Sequence, residues 1–403
     1  MRSLLHKANV FRSCPALRAS LCLRPSPIPA SVSATCCRSA SGSVGFGGCV
    51  HHWPTQTRNN KRSVATMATS PSAGVDSLQG KMPNWTWQQS MLRIKDPAAS
   101  VQFYCDFLGL TLVDKIDLPQ YEFSLYFLMS FPKGSEYTLE PGSKEAHDFL
   151  WSTNGTTIEL THNYGTESKE GPVYHPGNAD RDGFGHLAVS VEDVYAACSE
   201  LEAKGVTFKK KPDEGRMKGL AFAYDPDGYW IEIISRGPAP NAPKFALAQT
   251  MLRVKDPKAS IEFYVDKLGM KLVSVRSFSD FSLYFLASLP DGVQTPDPES
   301  PEAAAFLKEV LYPSSVPVLE LTHNHGTESD ADFSYHNGNV EPNRGFGHIG
   351  FLVDNIQESC AALEASGVKF QKKLGDGGIK EIAFALDPDG YWVEVVPRGG
   401  FEV

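Results

Sequence analysis

Four polar side chains recur in the same order in two parts of the chain, where the surrounding pattern predicts β-strands. Each set has one glutamine, two glutamates and one histidine. An amide oxygen, two carboxylates and an imidazole suit Zn²⁺, Ni²⁺, Mn²⁺ or Fe²⁺, and the set lacks the thiolates typical of a closed structural zinc site. The residues are Gln89, Glu159, His186 and Glu232 in the first set, and Gln249, Glu320, His348 and Glu394 in the second.

Two of the glutamates belong to a stretch that occurs twice, Asp-Pro-Asp-Gly-Tyr-Trp-(Ile/Val)-Glu at 225–232 and 387–394. Proline, aspartate and glycine favour a turn, and the aromatic and β-branched residues after them favour a strand. In a strand, Glu232 shares a face with Trp230 and Ile234, so we expect its carboxylate to be buried, and Glu394 likewise. A buried carboxylate must be paired, protonated or bound to a metal.

The pattern alone leaves structural alternatives open. A strand glutamate is often half-exposed or ion-paired, a strand histidine is often a hydrogen-bonded core residue, and a duplication copies neutral residues as faithfully as functional ones. Arg93 and Arg253 follow the glutamines by four residues, which places them on the same strand face. They could hold an anionic ligand or form surface ion pairs.

The body of the chain is two copies of one plan. Motifs in the first copy return 158 to 162 residues later, including Phe-Ser-Leu-Tyr-Phe-Leu, Glu-Leu-Thr-His-Asn and Gly-Phe-Gly-His. We predict an α+β fold of four βαβββ modules in two halves, at 84–236 and 244–400, with a linker at 237–243. Helices should start at Asp96-Pro97 and Asp256-Pro257, and near Asp193 and Asp354. The stretches 130–156 and 288–317 are predicted to be loops.

Composition is uneven along the 403 residues. Residues 1–75 contain nine Lys or Arg and no acid, whereas the remainder has 29 basic and 47 acidic residues. The acidic body argues against a nucleic-acid partner. No apolar run approaches the roughly 18 residues that span a bilayer, so we expect no membrane segment.

The basic leader, rich in Arg, Ser, Ala and Pro, is typical of a mitochondrial or plastid transit peptide, and a disordered basic tail is the alternative. Met67 could start a cytoplasmic form. Five of the eight cysteines lie in this leader, and Cys105, Cys198 and Cys360 are too scattered for a disulfide framework.

Taken together, five motifs make the body resemble the glyoxalase I family of lactoylglutathione lyases, in the vicinal oxygen chelate superfamily. They are Gln-(Ser/Thr)-Met-Leu-Arg-(Ile/Val)-Lys-Asp-Pro, Phe-Ser-Leu-Tyr-Phe-Leu, Leu-Glu-Leu-Thr-His-Asn, Gly-Phe-Gly-His and Asp-Pro-Asp-Gly-Tyr-Trp-(Ile/Val)-Glu. The resemblance covers about 84 to 398 and is strongest to the two-domain, single-chain eukaryotic form, whose long loops favour zinc over nickel. It implies two halves related by an internal pseudo-two-fold in a monomer that contains a dimer-like interface.

The resemblance also implies that each metal site takes ligands from both halves. One site would contain Gln89, Glu159, His348 and Glu394, and the other Gln249, Glu320, His186 and Glu232. The glutathione part of the substrate would be bound by Arg93, Asn163, Arg344 and Lys372 in the first site, and by Arg253, Asn324 and Lys210 in the second.

The copies depart from the family pattern at different places. Asp182 stands where the second half has Arg344, and Leu374 and Ile379 replace a proline and a methionine that the first half has at Pro212 and Met217. These differences indicate that the two sites bind glutathione unequally.

The implied reaction isomerises the hemithioacetal of methylglyoxal and glutathione to S-D-lactoylglutathione through an enediolate, which detoxifies methylglyoxal. Glu232 and Glu394 would be the bases, assisted by Glu159 and Glu320. The apolar pocket for the aldehyde side chain would be formed by Phe123, Leu125, Phe127, Phe281, Leu283 and Phe285. The alternatives are a metal-dependent dioxygenase of the same superfamily, whose site needs two histidines where this chain has one and a glutamine, and a non-catalytic ligand-binding module.

Overall fold

The computed structural model describes residue 82 and residues 84–401, which form an α+β fold, and the predicted leader at 1–75 lies outside the described residues. The first half contains β1 (Thr86–Ile94), α1 (Pro97–Gln102), β2 (Thr111–Leu118), β3 (Phe123–Met129), α2 (Lys144–Leu150), β4 (Thr157–Asn163), β5 (Phe184–Val191), α3 (Val194–Ala203), β6 (Phe208–Lys210), β7 (Ala221–Tyr224) and β8 (Trp230–Ser235).

The second half repeats this order. It contains β9 (Ala246–Arg253), α4 (Pro257–Ile261), β10 (Lys271–Ser277), β11 (Phe281–Ala287), α5 (Pro301–Phe306), β12 (Val318–Asn324), β13 (Phe346–Val353), α6 (Ile356–Ala365), β14 (Phe370–Lys372), β15 (Ala383–Leu386) and β16 (Trp392–Pro397). π-Helical turns follow α1, α4 and α5 at Phe103–Phe107, Glu262–Lys267 and Leu307–Leu311. Short 3₁₀ turns lie at Pro119–Tyr121, Thr166–Ser168 and Thr327–Ser329.

Each of the two eight-stranded sheets contains strands of both halves. The first sheet has the order β14-β15-β16-β13-β1-β4-β3-β2, and the second has the order β10-β11-β12-β9-β5-β8-β7-β6. The halves join where β1 pairs antiparallel with β13 and β5 pairs antiparallel with β9. This pairing satisfies the hydrogen-bonding edges that β1, β5, β9 and β13 would otherwise expose.

Reciprocal contacts repeat across the pseudo-two-fold between the halves. The backbone N–H of Trp87 donates to Ser288 Oγ at 3.0 Å, and the N–H of Leu247 donates to Ser130 Oγ at 2.8 Å. At the centre, the rings of Phe184 and Phe346 stack with centroids 5.0 Å apart and an interplanar angle of 8°. The expected α+β fold with an internal pseudo-two-fold is confirmed.

Three of the four predicted helix starts are confirmed at the residue level. Asp96 and Asp256 each accept a hydrogen bond from the backbone N–H two residues later, at 2.9 Å, and Asp193 caps α3. The fourth differs by one residue, because Asn355 rather than Asp354 accepts from the N–H of Glu358 and caps α6. Asparagine and aspartate are about equally good N-caps, so adjacent candidates cannot be ranked by type alone.

The prediction of loops at 130–156 and 288–317 is wrong, because each stretch contains a helix. Ser143 Oγ accepts from the N–H of Ala146 at 3.1 Å and begins α2, and Ala146 and Leu150 are buried one turn apart. In the second half, Ala303 and Leu307 are spaced in the same way. Proline, glycine and acidic residues around these helices concealed the short i, i+4 apolar pattern.

The two faces of β8 and β16 have different environments. Ile231 and Ile233 belong to the main apolar core under the helices, whereas Glu232 points from the opposite face. Glu232 and Glu394 are only 7% and 6% exposed, so the burial of both carboxylates is confirmed. Trp230, two residues before Glu232 on β8, is only half-buried.

The repeated Asp-Pro-Asp-Gly turn ties the strand bearing each buried glutamate to the helix that begins its half. Asp225 accepts hydrogen bonds from the backbone N–H groups of Asp227 and Tyr229 through Oδ1, and from the Tyr104 hydroxyl through Oδ2 at 2.9 Å. Burial, with the nearby Asp227 carboxylate, raises the pKa of Asp225 to about 7. Asp387 makes the same contacts in the second half, and its pKa is also raised to about 7.

Among the described residues, no helix has the length and apolar character needed to cross a membrane.

Replacing Tyr104 with phenylalanine tests the contribution of this turn to stability. The substitution removes a donor from a buried carboxylate, so we expect the free energy of unfolding to fall by about 1–3 kcal/mol. Tyr195→Phe is the matched control, because it breaks a tyrosine–aspartate hydrogen bond on the surface, to Asp213 at 2.8 Å, and should cost less than about 0.5 kcal/mol. Urea denaturation measures the free energy of unfolding of both variants. Equal decreases in the two variants would contradict the contribution of the turn to stability.

The same turn predicts how stability depends on pH. The pKa of Asp225 is about 7 in the folded chain against an ordinary value of 3.8, so the folded state binds more protons between those values. The free energy of unfolding should therefore decrease as pH rises from about 4 to 7. Asp225→Asn should make that decrease smaller in denaturation curves recorded across the interval. An unchanged pH dependence in the variant would show that Asp225 does not carry it.

Candidate metal centres

The first cluster of polar side chains lies on four adjacent strands of the first sheet. Glu394 is on β16, His348 on β13, Gln89 on β1 and Glu159 on β4, and these strands neighbour one another in that order. Across the join, Gln89 pairs with Gly350. A Cβ at Gly350 would lie 2.7 Å from Gln89 Cγ, so this glycine makes room for the glutamine side chain.

The donor atoms of the first cluster converge closely. Those of Glu159, His348 and Glu394 lie within 4.8 Å of one another, and His348 Nε2 is 3.1 Å from Glu394 Oε2. The amide Nε2 of Gln89 donates to Oε2 of both glutamates at 2.6 Å, and Gln89 Oε1 is buried with no hydrogen-bond partner in the part of the chain that the structure describes. The first half thus supplies Gln89 and Glu159, and the second half supplies His348 and Glu394.

The second cluster has the reciprocal composition in the second sheet. His186 and Glu232 come from the first half, and Glu320 and Gln249 come from the second. The donor atoms of His186, Glu232 and Glu320 also lie within 4.8 Å of one another. His186 Nε2 is 3.3 Å from Glu232 Oε2, but it is buried and has no hydrogen-bond partner among the described residues.

A tyrosine distinguishes the second cluster from the first. The Tyr312 hydroxyl donates to Gln249 Oε1 at 2.8 Å, while Gln249 Nε2 donates to Glu320 Oε2. Trp151 occupies the corresponding place after α2, and its Nε1 donates to His147 at 3.1 Å. Tyr312 was missed from the sequence because it follows a helix in a stretch predicted to be a loop.

Burial and mutual repulsion govern the charges of both clusters. Burial raises the pKa of Glu320 to about 7, and it also raises the pKa of Glu394. Burial alone would lower the pKa of His348, but the carboxylates of Glu394 and Glu159 outweigh it and raise the value to about 9. The bare clusters therefore retain protons that a divalent cation would displace.

The residues fit a divalent cation. Two carboxylates and an imidazole converge on one point in each cluster, and the glutamine amide hydrogen-bonds to these carboxylates. Among the described residues, Gln89 Oε1 and His186 Nε2 are buried polar atoms that lack hydrogen-bond partners. Such atoms are costly unless a ligand satisfies them. The donors are oxygen and nitrogen, which several divalent metals accept.

The arginines predicted to bind glutathione lie beside the join between the halves. Arg93 donates to the Phe346 carbonyl at 3.1 Å and to Asn339 Oδ1 at 2.9 Å. Burial lowers the pKa of Arg93, and the neighbouring positive charge of Arg344 lowers it further, so these two cations lie close together. Arg253 is the equivalent of Arg93 in the second half, and it donates to Asn178 Oδ1 at 2.8 Å.

Asp182 makes the surroundings of Arg253 different from those of Arg93. Its carboxylate bonds His175 Nε2 at 2.6 Å and accepts from the N–H of Ala179 at 2.6 Å and from the Asn343 amide at 3.1 Å. Asp182 thus holds the loops at the join together. At the equivalent position of the second half, Arg344 instead places a second cation next to Arg93.

The other residues predicted to bind glutathione form hydrogen bonds with neighbouring residues of the protein. Asn163 and Asn324 donate to the hydroxyls of Tyr174 and Tyr335, at 2.8 and 3.0 Å. Lys210 donates to the Leu220 carbonyl at 2.6 Å, and Lys372 donates to the equivalent carbonyl of Ile382. Both lysines therefore brace the loop that precedes β7 or β15.

A cavity of about 510 Å³ opens onto the second cluster. Its lining includes Gln249, Glu320, His186 and Glu232, together with Arg253 and Asn324. The predicted apolar residues Phe281, Leu283 and Phe285 form part of its wall. Sequence reasoning missed other lining residues, among them Phe222, Arg276, Phe278 and Lys308.

Comparison with known proteins identifies the protein family that this chain resembles in sequence. The sequence pattern of the Glyoxalase/Bleomycin resistance protein/Dioxygenase superfamily matches residues 87–233 and 246–395. A lactoylglutathione lyase from Schizosaccharomyces pombe is 42% identical over 330 residues, which cover 79% of this chain and 98% of that protein. A probable chloroplastic lactoylglutathione lyase from Arabidopsis thaliana is 30% identical over 345 residues, 82% of this chain and 80% of its own.

A solved structure agrees with the sequence comparisons. The crystal structure of glyoxalase I from Zea mays is similar with a TM-score of 0.55 at 26% identity, covering 78% of this chain and 92% of the maize chain. The chain therefore belongs to the Glyoxalase/Bleomycin resistance protein/Dioxygenase superfamily and, within it, to the family of lactoylglutathione lyases.

Proposed function

We propose that the chain is a lactoylglutathione lyase, which isomerises the hemithioacetal of methylglyoxal and glutathione to S-D-lactoylglutathione. The observation that carries this proposal is the pair of buried clusters, each with one glutamine, two glutamates and one histidine drawn from both halves. Relatives that share most of the chain's length are named for this activity.

Each cluster would hold one divalent cation through its four side chains. The first set is Gln89, Glu159, His348 and Glu394, and the second is Gln249, Glu320, His186 and Glu232. We propose zinc as the metal, with nickel as the alternative, because the chain resembles the two-domain form whose long loops favour zinc, while the nitrogen and oxygen donors accept either ion. One face of the second cluster opens to a cavity.

The chemical difficulty of the reaction is the removal of a proton from carbon beside a carbonyl group. When bound, a divalent cation would polarise the two adjacent substrate oxygens and stabilise the negative charge that forms. Glu394 in the first site and Glu232 in the second accept the proton from one carbon and return it to the next. Glu159 and Glu320 assist from the opposite side, and the burial of all four carboxylates limits competition from water.

The glutathione part of the substrate is oriented by cations and amides around each cluster. Arg93, Asn163, Arg344 and Lys372 serve the first site, and Arg253, Asn324 and Lys210 serve the second. Charge-assisted hydrogen bonds from such groups fix a carboxylate in place. Because Asp182 replaces the arginine at the second site, that site binds the glutamyl carboxylate with fewer cations.

The proposed organisation is a single chain that contains its own dimer-like interface. Each cluster takes two residues from 84–236 and two from 244–400, so a monomer has everything that both sites require. The leader at 1–75 directs one form to a plastid or mitochondrion, which agrees with the chloroplastic name of the Arabidopsis thaliana relative. Initiation at Met67 would give a cytoplasmic form.

Paired substitutions test the function and the contribution of both halves together. Gln89→Ala with Glu394→Gln alters the first cluster only, so the metal-loaded chain should still form thioester from methylglyoxal and glutathione at one site. Gln89→Ala with Glu232→Gln alters one residue in each cluster, and loss of a catalytic base alone typically costs about 10²–10⁴-fold. We expect the second pair to lose most activity, as measured by thioester absorbance.

Bound metal provides the control for this experiment. Elemental analysis should give about one ion per chain for the first pair of substitutions and two for the unmodified chain. Absence of thioester formation by the unmodified, metal-loaded chain would refute the proposed function. Activity retained by the second pair but lost by the first would instead mean that each half forms its own site.

A further inference from the structure

The two halves differ in charge at one equivalent position of the strand pairs β2–β3 and β10–β11. Arg276 of β10 pairs with Leu283 of β11, and Ile116 of β2 pairs with Leu125 of β3. Leu283 and Leu125 occupy the same place in the repeated Phe-Ser-Leu-Tyr-Phe-Leu motif. The first half therefore has an isoleucine where the second half has an arginine.

The Arg276 side chain reaches the cavity beside the second cluster. Its guanidinium carbon lies 5.3 Å from the ring centroid of Phe285, which is within the range of a cation–π contact. Phe285 pairs directly with Glu320 in the adjacent strand. The positive charge of Arg276 therefore lies over the apolar wall, next to a residue of the candidate metal centre.

The cavity has more cations than acids available to neutralise them. Its only acidic lining residues among the described part of the chain are Glu232 and Glu320, and both belong to the cluster that fits a divalent cation. The cations in the lining are Arg253, Arg276 and Lys308. The charge of Arg276 acts on Glu320, which belongs to the candidate metal centre. With both lining acids assigned to a cation, the three lining cations favour anionic ligands.

The equivalent position of the first half has apolar surroundings. Ile116 is buried in an apolar cluster that also contains Phe127, Trp151 and Val396, and Phe401 packs against that cluster. Phe127 and Val396 are the copies of Phe285 and Ile234, which line the cavity of the second site. The equivalent position is therefore packed among apolar side chains in the first half and carries a cation in the second.

We propose that Arg276 makes the second site prefer 2-oxoaldehydes whose side chain ends in a carboxylate, while the first site prefers neutral apolar side chains. This inference rests on the proposed function. Arg253 and Asn324 are assigned to glutathione, whereas Arg276 stacks on Phe285, a residue of the wall assigned to the aldehyde. A carboxylate on the aldehyde side chain would pair with the Arg276 guanidinium and be assisted by the charge of Lys308.

The experiment isolates the second site in the full-length, metal-loaded chain by Glu159→Gln with Glu394→Gln. Hemithioacetals are formed from glutathione and one of three aldehydes, which are methylglyoxal, 2-oxopentanal and 4,5-dioxopentanoate. The last two have side chains of similar length, and only 4,5-dioxopentanoate ends in a carboxylate. The measured quantity is the ratio of kcat/KM for 4,5-dioxopentanoate to that for 2-oxopentanal.

We expect Arg276→Ile, which installs the residue of the first half, to lower this ratio by about 10-fold or more, because hydrogen bonds to charged groups contribute about 1.5–3 kcal/mol. Arg276→Lys should retain a preference for the carboxylate. The reciprocal background, Glu232→Gln with Glu320→Gln, leaves the first site active, and there Arg276→Ile should not change the ratio. Metal content and circular dichroism show whether each variant is folded.

Two outcomes would overturn the inference while the proposed function stands. In one, Arg276→Ile leaves the ratio unchanged although methylglyoxal is still isomerised. In the other, KM rises equally for all three substrates, which would assign Arg276 to glutathione. If methylglyoxal itself is not isomerised by either single-site background or by the unmodified chain, the proposed function fails and the inference fails with it.

Discussion

The antiparallel pairing of β1 with β13 and of β5 with β9 is the constraint on which the candidate sites depend. It places His348 and Glu394 of the second half beside Gln89 and Glu159 of the first, and it does the reverse in the second sheet. Neither half has all four donors of a cluster on one continuous set of its own strands. The sites therefore form only when the halves associate, as the two subunits of a symmetric dimer would.

Two faces of the same strands serve different purposes. Ile231 and Ile233 stabilise the fold by packing under the helices, and Glu232 between them projects to the opposite face, where a carboxylate can meet other polar groups. The Asp-Pro-Asp-Gly turn before β8 fixes this strand to Tyr104 of the first helical segment. Alternate residues of one strand thus face the apolar core and the candidate metal centre, which the two-residue period of β-structure permits.

Local patterns explain why much of the fold could be predicted from the sequence. The duplication, the capped helices at Asp96 and Asp256, and the burial of Glu232 follow from spacing and residue type. The pairing of β1 with β13 does not follow from these patterns, because the period of a strand specifies its two faces and not its neighbouring strand. The bond from Tyr312 to Gln249 and the placement of Arg276 over Phe285 depend on that tertiary arrangement, so sequence spacing gave no signal for them.

Anomalous diffraction from crystals of the zinc-loaded chain shows whether each candidate metal centre combines residues of both halves. At the zinc absorption edge we expect two peaks per chain, one among Gln89, Glu159, His348 and Glu394 and the other among Gln249, Glu320, His186 and Glu232. A peak ligated by residues of one half alone, or zinc bound outside both clusters, would contradict the proposed sharing of ligands between the halves.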